Sequence, residues 1–266
     1  MTENLELNGV PLESVGVGLL RASSYGHFTS MQIRDGRVRG LGHHLERLDN
    51  GSRELFGVGL SGDRVLSYLR AALDRADSAD LSVRVNAFRG PQPETEPNVL
   101  VTVTDPIEPT RTPPRLLAVE HERPVPQLKH TGTFSLLYHR DRARDAGYGD
   151  AVFFDRAGRI SEATIWNICF GTCDRIVWPS AAVLPGITML TLQQAMTATG
   201  VPAETRPVPL TELGSYDAAY LTNSIDPALP VASITGPLGT TTFDQAHTPT
   251  ADLITKSTAA VPLDAI

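Results

Sequence analysis

The chain has 266 residues, 41% hydrophobic and 20% charged, with a formal net charge of −7 at pH 7. That length supplies one large or two modest domains with enough apolar material for their cores. The acidic balance gives no basis for a nucleic-acid or anionic-membrane partner. The polar start MTENLELNG does not read as a signal peptide, and no apolar run approaches the roughly 20 residues of a spanning helix. The expected location is therefore cytoplasmic. Cys169 and Cys173 flank Gly171 in an expected hairpin, too few for a disulfide framework and without the second ligand pair of a zinc site. No metal is expected.

Residues 5–7 followed by Asn8-Gly9 predict a strand and tight turn, and 27–33 a second strand closed at Asp35-Gly36. After Gly42 apolar and small residues recur at three and four, through Leu45, Leu48, Ser52 and Leu55, which predicts an amphipathic helix. A second helix is expected from a cap at Ser61 through Val65, Leu66, Leu69 and Leu73, then strands near 81–88 and 99–104. Between Asp105 and Gln127, Pro106, Pro109, Pro113, Pro114, Pro124 and Pro126 remove backbone donors and break both periods. The expected division is an α/β domain over 1–112, a Pro-rich linker with the start of the second sheet over 113–127, and a second domain over 128–266. That second domain should open with a helix at Lys129 stopped by Gly147, followed by strands through Trp178. A helix should follow 184–188 and end at Gly200, and a strand near 218–222 should lead into the loop 223–230. A last strand and a tail helix close the chain.

Lys129 and Lys256 are the only lysines in a chain otherwise built with arginine. Lysine can shed its proton and form a Schiff base, whereas arginine effectively cannot. The bland alternative is compositional, an arginine-rich chain leaving a stray lysine. After Lys129 come ArgAspAlaGlyTyrGlyAspAla at 144–151, a turn at Asp155–Gly158, Ile160-Ser161-Glu162 and Asn167. In order and spacing this stretch resembles the class IV aminotransferase family of fold-type IV pyridoxal-phosphate enzymes, which includes branched-chain and D-amino acid aminotransferases and aminodeoxychorismate lyase.

The resemblance implies a two-domain α/β (α+β type) fold, a small N-terminal domain and a larger C-terminal one with a barrel-like sheet. It implies pyridoxal 5′-phosphate as cofactor, an amino-acid-like small-molecule substrate and a homodimer. Lys129 is then the Schiff-base lysine. Glu162 is the carboxylate that keeps the cofactor's ring nitrogen protonated, since a fixed anion raises that nitrogen's pKa. Taken alone, Glu162 would be a strand-end glutamate facing water. Arg47, in HisHisLeuGluArgLeu at 43–48, matches the family's phosphate-gripping arginine; its alternative is an exposed helix arginine paired with an acid. Gly186, Ile187 and Thr188 stand at a helix start, where amides and a hydroxyl favour an anion. Ser224 occupies the position of a further family hydroxyl.

On the substrate side, Gly26-His27-Phe28-Thr29-Ser30 resembles the hydroxyl-bearing strand of the lyases, in contrast to the acid of the aminotransferases. Asn223–Val231 and the pair Lys129-His130 resemble the lyases too. The lyase resemblance makes Thr29 a catalytic hydroxyl, with Phe28, Ser30 and Asn223 lining the substrate and Arg89 taking a carboxylate. Two departures stand against it: Thr131-Gly132 interrupts the lyase string, and the arginine-rich loop of the family is reduced to Phe88-Arg89-Gly90 before an acidic 91–97. The expected reaction is β-elimination of 4-amino-4-deoxychorismate to 4-aminobenzoate and pyruvate. The alternatives are an aminotransferase of branched-chain or D-amino acids, and a cofactor-free homologue that only binds a ligand.

Overall fold

Residues 4–11, 25–76, 78–89, 96–109, 112–243 and 248–266 are described by the computed structural model of the chain. Contacts divide it into two units, Met1–Glu108 with Leu128–Gly132 and Pro262–Ile266, and Pro109–Gln127 with Thr133–Val261. This grouping cuts across the division expected along the chain. Backbone pairing explains the difference. Residues 128–132 bond to a strand of the first unit, and the last strand, Leu263–Ala265, returns to pair with Arg37–Arg39.

The first unit contains β1 (Asn4–Leu7), β2 (Val10–Pro11), β3 (Gly26–Ile33), β4 (Arg37–Arg39), α1 (Leu41–Phe56), α2 (Gly62–Asp74), β5 (Leu81–Phe88) and β6 (Asn98–Thr104). Its antiparallel sheet has the order β2-β1-β6-β5-β3. Alternation sorts the side chains. Met31, Ile33, Val83, Val85, Ala87, Val99, Val101 and Val103 form a core with Leu48 and Phe56 of α1 and Val65 and Leu69 of α2. Burying each large aliphatic there contributes about 1.5–3 kcal/mol. The even-numbered residues of β3 and β5 face away from these helices, because successive side chains of a strand point to opposite faces.

The second unit contains β7 (Arg115–Glu120), α3 (Phe134–Asp145), β8 (Asp150–Phe154), β9 (Ile160–Ala163), β10 (Asn167–Thr172), β11 (Arg175–Pro179), α4 (Ile187–Thr199), β12 (Ala203–Arg206), β13 (Ala218–Thr222), β14 (Leu229–Pro230), β15 (Ser233–Gly236), β16 (Gly239–Thr242) and α5 (Pro249–Ala260). The sheet runs β12-β11-β10-β9-β8-β7-β15-β16, with β13 also pairing β10 and β14. Both its faces are apolar. Cys169, Ile176 and Trp178 pack with Leu192 and Met196 of α4 and Ile254 of α5, while Ile168, Phe170 and Val177 join Leu213, Tyr216 and Phe243.

Lys129 does not begin a helix. α3 starts only at Phe134, because the backbone of Lys129 and Thr131 is engaged by β3 and cannot enter a helical ladder. The C-terminus of α3 behaves as expected: Gly147, at φ 84°, takes the left-handed conformation that ends the helix. Among the described residues no helix is long and apolar enough to cross a membrane.

Candidate active site

In the first unit the geometry starts from β3. The Lys129 carbonyl accepts from the Phe28 N–H at 2.9 Å, and the Gly26 carbonyl accepts from the Thr131 N–H at 2.8 Å, around an antiparallel bridge of His27 with His130. That register sets Lys129 opposite Phe28, and opposite residues of an antiparallel pair project from one face. The Lys129 Nζ accordingly lies 4.8 Å from the centroid of the Phe28 ring. Phe28 pairs in turn with Asn86, and Ser30 with Arg84. The face therefore carries Lys129, Phe28 and Asn86 in one row and Ser30 and Arg84 in the next. The Arg84 guanidinium carbon lies 3.6 Å from the Phe28 centroid, and its Nε donates to Asn86 Oδ1 at 3.1 Å. Two cations thus share one aromatic ring.

Thr29 is on the other face. It is fully buried against α1, and its hydroxyl shares a 2.6 Å hydrogen bond with Nδ1 of the buried His44. The expectation that Thr29 and Ser30 act together on a substrate is corrected by strand alternation: neighbours in a strand cannot both face it. Burial, then the charges of Arg47, Lys129 and His43, push the His44 imidazole down to about 3. Arg47 and Lys129 therefore both lie within electrostatic range of His44. Arg47 itself is half-buried, one turn of α1 beyond His44. Arg89, the expected carboxylate cation, is exposed and donates to the Leu55 carbonyl at 3.2 Å, with its guanidinium 5.6 Å from the Phe56 centroid. It belongs to the C-terminal end of α1 and not to the Lys129 row. The acidic loop after it lies outside the described residues over 90–95.

In the second unit Glu162 is no water-facing strand end. It is buried on β9, and its Oε2 accepts from the Leu184 N–H at 3.2 Å while Oε1 stands 3.7 Å from Nη1 of the buried Arg123. Register places Asn167 opposite Glu162, and Thr222 opposite Asn167. Asn167 Nδ2 donates to the Leu184 carbonyl at 2.8 Å. The Thr222 hydroxyl, buried in this row, has no hydrogen-bond partner among the described residues. Next comes the turn into α4. Its N-cap is Gly186, where a Cβ would collide with Asn167 Oδ1, and no described side chain caps the helix. The first amides of α4 and the half-buried Thr188 hydroxyl are a donor set suited to a phosphate. Ile187 is buried and contributes its amide alone.

Ser224 is half-buried in a loop shaped by Asn223, whose Oδ1 accepts from the Ile225 and Asp226 N–H groups at 2.8 and 2.9 Å. The Asn223 carbonyl oxygen is thereby engaged in an Asx-type turn, the ordinary fate of asparagine in a loop. The donor set fits a phosphorylated ring with a basic nitrogen, offering a fixed carboxylate, an uncapped glycine-led helix start and an orphaned buried hydroxyl. Sequence reasoning missed Arg84, Arg123 and His44. The first had a legible signal, the polar alternation of Ser82, Arg84 and Asn86 within an otherwise apolar strand. Arg123 had none, because its partner is distant in sequence.

A model of the family described as amino-transferase class IV matches residues 26–234. A curated relative, the branched-chain-amino-acid aminotransferase-like protein 2 of Arabidopsis thaliana, is 27% identical over 111 residues, 41% of this chain. The match covers about a fifth (20%) of that relative's length. Among solved structures, a hypothetical aminotransferase from Mycobacterium tuberculosis in its PLP-bound form superposes with a TM-score of 0.81 at 19% identity, covering 98% of this chain and 99% of that one. The branched-chain amino acid aminotransferase of Escherichia coli gives 0.82 at 19% identity, covering 96% and 92%. A Legionella pneumophila protein assigned provisionally as a 4-amino-4-deoxychorismate lyase gives 0.80 at 19%, covering 94% and 96%. Likeness at this identity establishes the fold, which is that of the fold-type IV enzymes.

Proposed function

Because the chain belongs to the class IV aminotransferase family, we propose that it is a pyridoxal-phosphate-dependent enzyme that labilises the Cα–H bond of an amino acid and transfers its amino group. The observation that carries this reading is the row in which Lys129 stands opposite Phe28, with Arg84 stacked over the same ring. When bound, pyridoxal 5′-phosphate supplies an aldehyde that captures amines and a ring that delocalises the electron pair left at Cα. The chain's residues do the rest. Lys129 Nζ would hold the cofactor, and as a free amine it would take the Cα proton. Glu162 keeps a proton on the ring nitrogen. Arg47, the amides of Gly186 and Ile187, and the hydroxyls of Thr188 and Ser224 hold the phosphate. Arg84 offers a planar two-pronged donor to a substrate carboxylate, and Phe28 shields the reacting amine.

Elimination is the second reading. It is favoured by Ser30, whose half-buried side chain is the cross-strand neighbour of Arg84 and can orient a cyclic substrate such as 4-amino-4-deoxychorismate. It ranks second because the Thr29 hydroxyl, one of the groups that favoured it, is engaged with His44 inside the fold, and Asn223 is tied into its own loop through its side-chain oxygen. The active form is proposed to be a homodimer, which sedimentation at micromolar concentration checks. The deciding experiment has two arms on purified holoenzyme. Half-transamination of simple amino acids without pyruvate release from aminodeoxychorismate supports amino transfer, and the converse supports elimination. Lys129→Ala should abolish both turnover and the borohydride-trappable yellow species; survival of either removes Lys129 from this role.

A further inference from the structure

We propose that Asn167 is a positioning residue that ties the Glu162 carboxylate to the N-terminal turn of α4, so that the ring-nitrogen partner and the phosphate cradle act as one rigid piece. This rests on the cofactor reading above. The two side chains stand opposite each other on β9 and β10, and both are buried. Together they hold both backbone polar groups of Leu184: Glu162 Oε2 accepts from its N–H at 3.2 Å, and Asn167 Nδ2 donates to its carbonyl at 2.8 Å. Two residues further on, Asn167 Oδ1 fills the space a Cβ of residue 186 would need. One carboxamide therefore fixes residue 184 with its nitrogen and fits against Gly186 with its oxygen. Gly186 is the N-cap of α4, so the first amides of that helix are positioned from the same side chain.

The consequence for binding is specific. A ligand carrying ring nitrogen and phosphate in one molecule gains from a fixed spacing between carboxylate and cradle, because the second contact is then made without further ordering. Separate pieces do not gain in this way. Replacing Asn167 should therefore weaken pyridoxal phosphate far more than pyridoxal, which lacks the phosphate. A residue that merely supports the fold would weaken both alike.

The experiment titrates wild type, Asn167→Ala and Asn167→Asp with pyridoxal phosphate and with pyridoxal, following absorbance and protein fluorescence. Asn167→Asp keeps the size of the side chain and an oxygen beside Gly186 but loses the donor to Leu184. We expect pyridoxal phosphate affinity to fall by about tenfold or more, the equilibrium equivalent of one buried hydrogen bond, while pyridoxal affinity changes by less than about threefold. Equal losses for both ligands, or no loss for either, would overturn the proposal. Hydrogen exchange of the wild-type protein tests it without a variant. Pyridoxal alone should slow exchange at the first amides of α4, although it carries no phosphate to contact them, and protection confined to the surroundings of Glu162 would overturn the coupling. A wild-type protein that binds neither ligand would instead sink the cofactor reading.

Discussion

The Thr29→Val substitution separates a catalytic hydroxyl from a structural one. Thr29 and His44 are both buried, and their side chains share a hydrogen bond at 2.6 Å. Valine keeps nearly the same volume, so no cavity opens, but Nδ1 of a neutral, buried imidazole loses its partner. An orphaned polar group of this kind costs about 1–3 kcal/mol. Taking about 2 kcal/mol, and about 2–4 °C per kcal/mol for a chain of this size, the midpoint of thermal unfolding should fall by about 4–8 °C. Thr29→Ser, which restores the hydroxyl, should recover most of that loss. The rate of a single-turnover half-reaction, followed by cofactor absorbance, should stay within about threefold of wild type, whereas a proton-transfer role would cost about 10²–10⁴-fold. An unchanged melting midpoint with a rate loss of about a hundredfold or more would refute the alternation argument and return Thr29 to the substrate.

Arg84→Gln should raise KM for carboxylate-bearing amino acids by about 10–100-fold, the worth of hydrogen bonds to a charged group, without altering cofactor retention; steady-state kinetics on an amino acid and its decarboxylated amine check this. Arg123→Leu leaves the buried Glu162 without its guanidinium neighbour and should destabilise the apo-protein by about 3 kcal/mol. Urea unfolding measures it, and a loss below about 0.5 kcal/mol would deny the pair that role. Burial pulls His27 to about 4, and burial with nearby cations pulls His44 to about 3, from 6.5 in both cases. Their stabilising contribution is thus present above pH 6.5 and is lost as pH falls towards those values, since the unfolded chain takes up protons that the folded one refuses. The slope approaches about 1.4 kcal/mol per pH unit for each histidine, and His44→Gln should flatten it in unfolding curves taken across the acid range.

How much of this could be read from the sequence depends on how far apart the interacting residues lie. The helices at α1 and α2, the strands β3, β5 and β6, and the glycine-led turn at Pro185–Thr188 into a helix are local matters of period, glycine and proline, and the sequence displays them directly. So does the family pattern from Lys129 to Asn167, which fixes the chemistry to look for. Even the facing of Thr29 was latent in the sequence, because alternation from Met31 and Ile33 puts it with the core. What only the tertiary structure decided is where distant segments pair. The backbone of Lys129 and Thr131 bonds to β3, roughly a hundred residues earlier, which prevents a helix at Lys129 and sets its side chain beside Phe28. Arg123 meets Glu162, and Asn167 meets Leu184 and Gly186, only because a sheet register and a turn bring them together. Local periodicity is written in neighbouring residues, while these contacts are chosen by packing and by the need to satisfy buried polar groups.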